Sequence, residues 1–288
     1  MKYLLIKLTQ NALLYIRMVM FFCFIGHGMV SLNISSAYNL HLSILQSVNY
    51  FDLDVVFVAK VLGTFDFLTA LFILFNVQLK YLLPLFISYL FAVGIAGGIY
   101  FMRKTGGYFG VAEFFRRVPW MFNLLFLWFA LSKEKKYFYL LRVGIAFAFI
   151  AHGLASVGFM GLNGGHVELA TKILSEQKAA QFVYYTGFSD LALGMLLLSG
   201  ILSRYAAIVG CLWLLFIVYL SFLTGLPEGL FRMGFLLTCF YVAVDKRCHS
   251  WNTPSNSPDS PSRSALAEQG GGEPPHATPS LREGGGGL

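Results

Sequence analysis

The sequence predicts an all-α membrane protein of about eight transmembrane helices, arranged as two parallel four-helix repeats and followed by a disordered C-terminal tail. Three observations lead there. Hydrophobic residues make up 57% of the 288 residues and charged residues only 12%, where a soluble domain carries about a quarter charged. The apolar residues come in runs, such as Val118 to Leu131 and Tyr205 to Leu223, which approach the roughly 20 residues that cross a bilayer. An ordered set of polar residues also occurs twice.

In chain order the expected spans are Leu13 to Leu32, Val55 to Phe75, Leu82 to Phe101, Val118 to Leu131, Phe138 to Met160, Phe182 to Ile201, Tyr205 to Leu223 and Leu230 to Val244. The runs are continuously apolar and do not alternate, so helices are expected, not barrel strands. Lys2 and Lys7 give the N-terminus a superficial likeness to a signal peptide, but Arg17 interrupts the apolar run, and the first segment reads as a retained span. The fourth span is short. Two connections are long, Asn33 to Asp54 and Gly161 to Gln181. Within the second, Val167 to Gln181 has the spacing of a short interfacial helix. From Ser250 to Leu288 the chain turns to Pro, Ser and Gly, a composition that cannot bury enough apolar surface to order itself. Three segments follow: repeats at 1–134 and 135–249, and a tail at 250–288.

The duplication is carried by spacing. Arg17 to Gly28 reads RMVMFFCFIGHG and Arg142 to Gly153 reads RVGIAFAFIAHG, each with an Arg ten residues before a His-Gly pair. Fourteen residues after His27 comes His41, and fourteen after His152 comes His166. The second span of each half carries GTFD (Gly63 to Asp66) or GFSD (Gly187 to Asp190). The last opens with Glu113 and Arg117, or with Glu228 and Arg232. Four spans per half is an even number, so the halves enter the membrane in the same sense, as parallel repeats.

The net charge is +7, with basic residues mainly at the ends of apolar runs. That placement suits lipid headgroups and argues against nucleic acid. The distribution of Lys and Arg favours both termini on the cytoplasmic side of an inner or plasma membrane. Cys23, Cys211, Cys239 and Cys248 form no CxxC pair, so neither a disulfide framework nor a metal site is expected.

Ionisable side chains are costly in a bilayer and face partners or cavities. His27 and Asp66 should meet between adjacent antiparallel spans, and so should His152 and Asp190, with His41, His166, Glu113, Arg117, Glu228 and Arg232 at the rim of an outward cleft. These ten are the candidates for ligand binding or proton exchange. No catalytic residue is assigned. Arg17 and Arg142 are expected to be structural or to reach headgroups. The Gly after each His lets a neighbouring helix or ligand approach closely.

Arg, His-Gly and a following Gly-x-x-acid resemble the DoxX-like membrane proteins. The resemblance covers each half, through Arg17, His27, Gly28, Gly63 and Asp66, and through Arg142, His152, Gly153, Gly187 and Asp190. It implies a four-helix unit here present in tandem. It also implies a redox-associated membrane subunit with a redox protein partner, binding a quinone or similar amphipathic molecule in the polar cleft. A non-enzymatic scaffold or cargo-binding partner and a small-molecule transporter stay open beside it. A haem held by His27 and His152 is the weaker cofactor alternative to a quinone. Membrane lipids are partners under every reading.

Overall fold

The computed structural model describes residues 11–35, 37–105, 111, 114–132, 136–158 and 164–250. Among them the chain is helical, without strands. The helices are α1 (Ala12–Ser31), α2 (Tyr38–Ser47), α3 (Val55–Phe75), α4 (Leu79–Thr105), α5 (Val118–Ser132), α6 (Tyr139–Ser156), α7 (Gly164–Ala170), α8 (Glu176–Ser199), α9 (Ser203–Thr224) and α10 (Leu226–Val244), followed by a 3-10 turn, Lys246–His249. Side-chain caps start two of them: Asn11 accepts from the Leu14 amide before α1, and Asp54 from the Val56 amide before α3.

Among the described residues, seven helices are long and apolar enough to cross a membrane. Of the eight expected spans the exception is α5, whose 15 residues rise only about 22 Å. It packs against α1, α4 and α6, and Trp120, Leu124, Phe126 and Leu127 are buried. With protein on several sides, it does not need the full apolar length that lipid demands of an exposed span.

Helix pairing follows one scheme in both halves. In the first, α1 lies on α3, α4 on α5, and α5 touches α1. In the second, α6 lies on α8, α9 on α10, and α10 touches α6. The halves join crosswise, α5 against α6 and α10 against α1. Asn123 of α5 donates to the Thr238 hydroxyl of α10 across 2.9 Å. The tight turns match too. Asn76 and Gln78 after α3, and Gly200 and Leu202 after α8, have positive φ, which lets each helix reverse within a few residues. Phe57, Tyr81, Tyr205 and Leu212 point outward, the surface a lipid-embedded bundle presents.

Three expectations are refined. The connection Asn33 to Asp54 contains a helix, α2. The periodic stretch Val167 to Gln181 is broken: α7 ends at Ala170 and α8 begins at Glu176. Between them Ser175 adopts an extended backbone (φ −66°, ψ 153°), so Glu176 to Gln181 belong to the spanning helix. The third expected span, Leu82 to Phe101, lies within the longer α4, which begins at Leu79. The tail expected from Ser250 lies, from residue 251 on, outside the described residues, as do Lys2, Lys7 and Glu113.

Candidate functional site

Glycines set where the key helices cross. A Cβ placed on Gly28 would come 3.1 Å from the Gly63 carbonyl oxygen, and one on Gly63 would come 2.8 Å from Leu32. In the second half, a Cβ on Gly153 would lie 2.8 Å from the Gly187 carbonyl, and one on Gly187 2.8 Å from Ser156 Cβ. Three of these four distances are shorter than a real Cβ contact, and the fourth is tighter than most, so α1 meets α3, and α6 meets α8, at close quarters through glycine. The close crossing puts the histidine before one glycine and the aspartate after the other at the same depth.

In the first half this produces the expected pair. His27 Nδ1–H donates to Asp66 Oδ2 across 2.8 Å, and Asp66 is wholly buried. The Tyr89 hydroxyl of α4 approaches the same carboxylate. His41, carried by α2, stands edge-on to His27 with ring centroids 5.5 Å apart. Its Nε2 lies 3.3 Å from the Ser31 hydroxyl, which itself donates to the His27 carbonyl. Burial first, then the neighbouring His27 and Arg117, push the His41 pKa down to about 3, so its ring is neutral at ordinary pH.

The second half differs. Among the described residues His152 does not bond Asp190; its Nδ1 lies 3.1 Å from His166 Nε2. The rings are within 12° of parallel, with centroids 4.9 Å apart. Arg116, between α4 and α5, donates its Nη2–H to the same His166 Nε2 across 2.7 Å. His166 Nδ1 is 2.9 Å from the Ser156 hydroxyl. Burial, then Arg116, hold the His166 pKa well below its ordinary value. The first-half residue Arg116 has thus drawn His166 and His152 into one chain, and the expected His152–Asp190 pair is replaced.

Asp190 instead lines a cavity of about 90 Å³ together with His152, Arg232 and the apolar Phe149, Phe182 and Trp213. It is 6% exposed, and its Oδ1 has no hydrogen-bond partner among the described residues. The Trp213 indole sits beside the carboxylate.

The rim residues are distributed differently from the expectation. Glu228 accepts from the Ser35 hydroxyl of the first half, its second oxygen is buried, and its carboxylate forms no pair with Arg232. Arg232 donates to the Glu228 backbone carbonyl and faces the second-half cavity. Arg117 runs beside Gly94 and Gly97 of α4, near His41. Arg142 is fully buried and donates to the His249 carbonyl, 3.0 Å away. Its partner is therefore the chain's own C-terminal turn and not a headgroup. Arg17 sits half-buried on α1. No group of metal-ligating side chains occurs among the described residues.

Sequence reasoning overlooked five participants: Ser31, Ser156, Tyr89, Trp213 and Arg116. Four of them carried a signal. Ser31 and Ser156 each follow the His by four residues, and Tyr89 and Trp213 each follow the Asp by 23. Arg116 has no counterpart in the spacing of the second half, since Phe231 occupies the matching position before Arg232.

Residues 138–223 match the family model DoxX. The match covers α6 to α9 and so includes His152, His166, Asp190 and Trp213, while Arg116 and Arg232 lie outside it. No match was found among the curated proteins or among the solved structures.

Proposed function

From a DoxX match over 138–223 as premise, we propose that this chain is a membrane subunit whose second-half cavity binds a quinone or a similar amphipathic ring, with His152 and Asp190 exchanging protons with its head group. The observation that carries the reading is Asp190: a carboxyl more than nine-tenths buried, with an oxygen left unpartnered, on the wall of a cavity otherwise lined largely by aromatic and aliphatic groups. An orphaned buried acceptor costs about 1–3 kcal/mol, and a ligand supplying a hydrogen bond recovers it. The apolar walls fit a ring or tail, and the His–Asp floor fits its polar edge.

The two halves read as copies of one unit. Their common pairing scheme and matched left-handed turns support this, as do the recurring His, Ser and Asp positions. The first copy has closed its His27–Asp66 pair, while the second has kept its aspartate open. On this reading the membrane is an inner or plasma membrane, both termini are cytoplasmic, and a redox protein partner exchanges electrons with the bound ring.

Trp213 reports binding directly. In nanodiscs, titration with the reduced, hydroquinone form of a short-tailed ubiquinone analogue, whose hydroxyl can donate to Asp190, should quench tryptophan fluorescence saturably. The quench should shrink in Trp213→Phe, and the affinity should fall about tenfold in Asp190→Leu, the loss of one charged hydrogen bond. A linear, non-saturating quench that is indifferent to both substitutions refutes the proposal.

A further inference from the structure

The second-half cavity has a polarity that follows from one residue of the first half. A guanidinium has donors and no acceptor, and it does not lose its proton in a protein. Because Arg116 Nη2 lies 2.7 Å from His166 Nε2, that nitrogen must be the acceptor. The His166 proton therefore sits on Nδ1, where it donates to Ser156 Oγ at 2.9 Å. His152 Nδ1 faces the same His166 lone pair at 3.1 Å, so His152 must carry its own proton on Nδ1. What remains is His152 Nε2: a bare lone pair, with no partner among the described residues, on a side chain that lines the cavity. Asp190 Oδ1 is a second unpartnered acceptor on the same wall.

We infer that the cavity takes a head group that donates a hydrogen bond, a phenol-type hydroxyl, and that Arg116 is the positioning residue that imposes this by fixing the tautomers of His166 and His152. The inference rests on the proposed binding site and specifies which face of a ligand it accepts. An acceptor-only head group, such as an ether, would set its lone pairs against that of His152. Arg116 acts across the join between the halves, so residues 138–223 do not define the site's selectivity alone. The first half reaches the same outcome by another route, since Asp66 holds the His27 proton on Nδ1.

The test uses the full chain in nanodiscs. Nitrogen NMR of labelled histidines in the wild type should find His152 and His166 protonated on Nδ1. Para-octylphenol should bind at least about tenfold more tightly than its methyl ether, para-octylanisole, because a site built to pair a hydroxyl rejects the analogue that cannot offer one. In Arg116→Met the ratio should fall several-fold, toward what Asp190 alone supplies, and the His152 proton should redistribute. In Arg116→Lys, which keeps an obligate donor, both should be restored. A His152 proton on Nε2 in the wild type overturns the inference, as does a ratio unchanged in Arg116→Met. If neither compound binds the wild type while both rings carry Nδ1 protons, the binding-site reading fails and the tautomer relay stands.

Discussion

His27 Nδ1 and Asp66 Oδ2 lie 2.8 Å apart where two helices touch through glycine, with the carboxylate wholly buried. Asp66→Leu would strand the imidazole proton. It should lower unfolding stability by about 1.5–3 kcal/mol, the worth of a hydrogen bond to a charged group. Asp66→Asn keeps an acceptor and should cost less. Thermal unfolding in a mild detergent ranks the two, and equal losses would show that the bond itself contributes little.

The glycine contacts make a graded prediction. Gly153→Ala and Gly187→Ala each add a carbon within 2.8 Å of backbone or Cβ atoms. Overpacking of this kind costs about 1–3 kcal/mol. At Gly97 the nearest atom to an added Cβ is the Arg117 guanidinium at 3.5 Å, so Gly97→Ala should be nearly silent. Comparing melting temperatures of the three variants checks it; a Gly97→Ala loss as large as the others would mean that backbone freedom, and not space, is what these positions need.

The membrane class, the approximate spans and the His27–Asp66 pair were legible in the sequence, because apolar run length and fixed spacing report directly on helices packed side by side. The His152–Asp190 pair was inferred by symmetry and is absent. Spacing within one half of the chain carries no information about a residue arriving from the other half, and Arg116 arrives from the other half. The break between Ala170 and Glu176 was hidden for a related reason: helical periodicity continues through it, while Ala170, Ala179 and Val183 form a small cluster of their own that closes α7 back onto α8. Arg142 looked like a headgroup contact because its partner is a backbone carbonyl more than a hundred residues away.

Acid should loosen the protein through its second pair of histidines. His41 has a pKa near 3 when folded, against about 6.5 in an unfolded chain. The unfolded state therefore binds the proton more readily. The stability His41 contributes is complete above about pH 6.5 and is lost as pH falls toward 3. His166 is shifted in the same direction by burial and Arg116. Melting temperature should decline steadily from pH 7 to pH 4, and the decline should flatten in the double variant His41→Gln, His166→Gln. An unchanged slope in that variant would assign the acid sensitivity to other groups.

At the opposite end of the bundle, Arg142 Nη1 donates to the His249 carbonyl across 3.0 Å, and the His249 ring meets the Ser203 hydroxyl at 2.7 Å. Asp245 accepts from Tyr241 and Arg247, and the Arg247 guanidinium lies 4.0 Å above the Phe138 ring. Burial disfavours the Asp245 carboxylate, but the hydrogen bonds from Arg247 and Tyr241 outweigh it and hold its pKa below the usual range. This turn therefore fastens α10 to the starts of α6 and α9. Ending the chain at Val244 removes the carbonyl that Arg142 uses while leaving the buried guanidinium in place. Arg142→Met removes the charge and keeps apolar volume. Since stranding a buried charge costs more than replacing it with a packed apolar group, the truncation should destabilise more than the substitution. Truncation after Ser250, which spares the turn, should leave the melting temperature unchanged. A loss after Ser250 equal to the loss after Val244 would move the stabilisation out of the turn and into the segment beyond it.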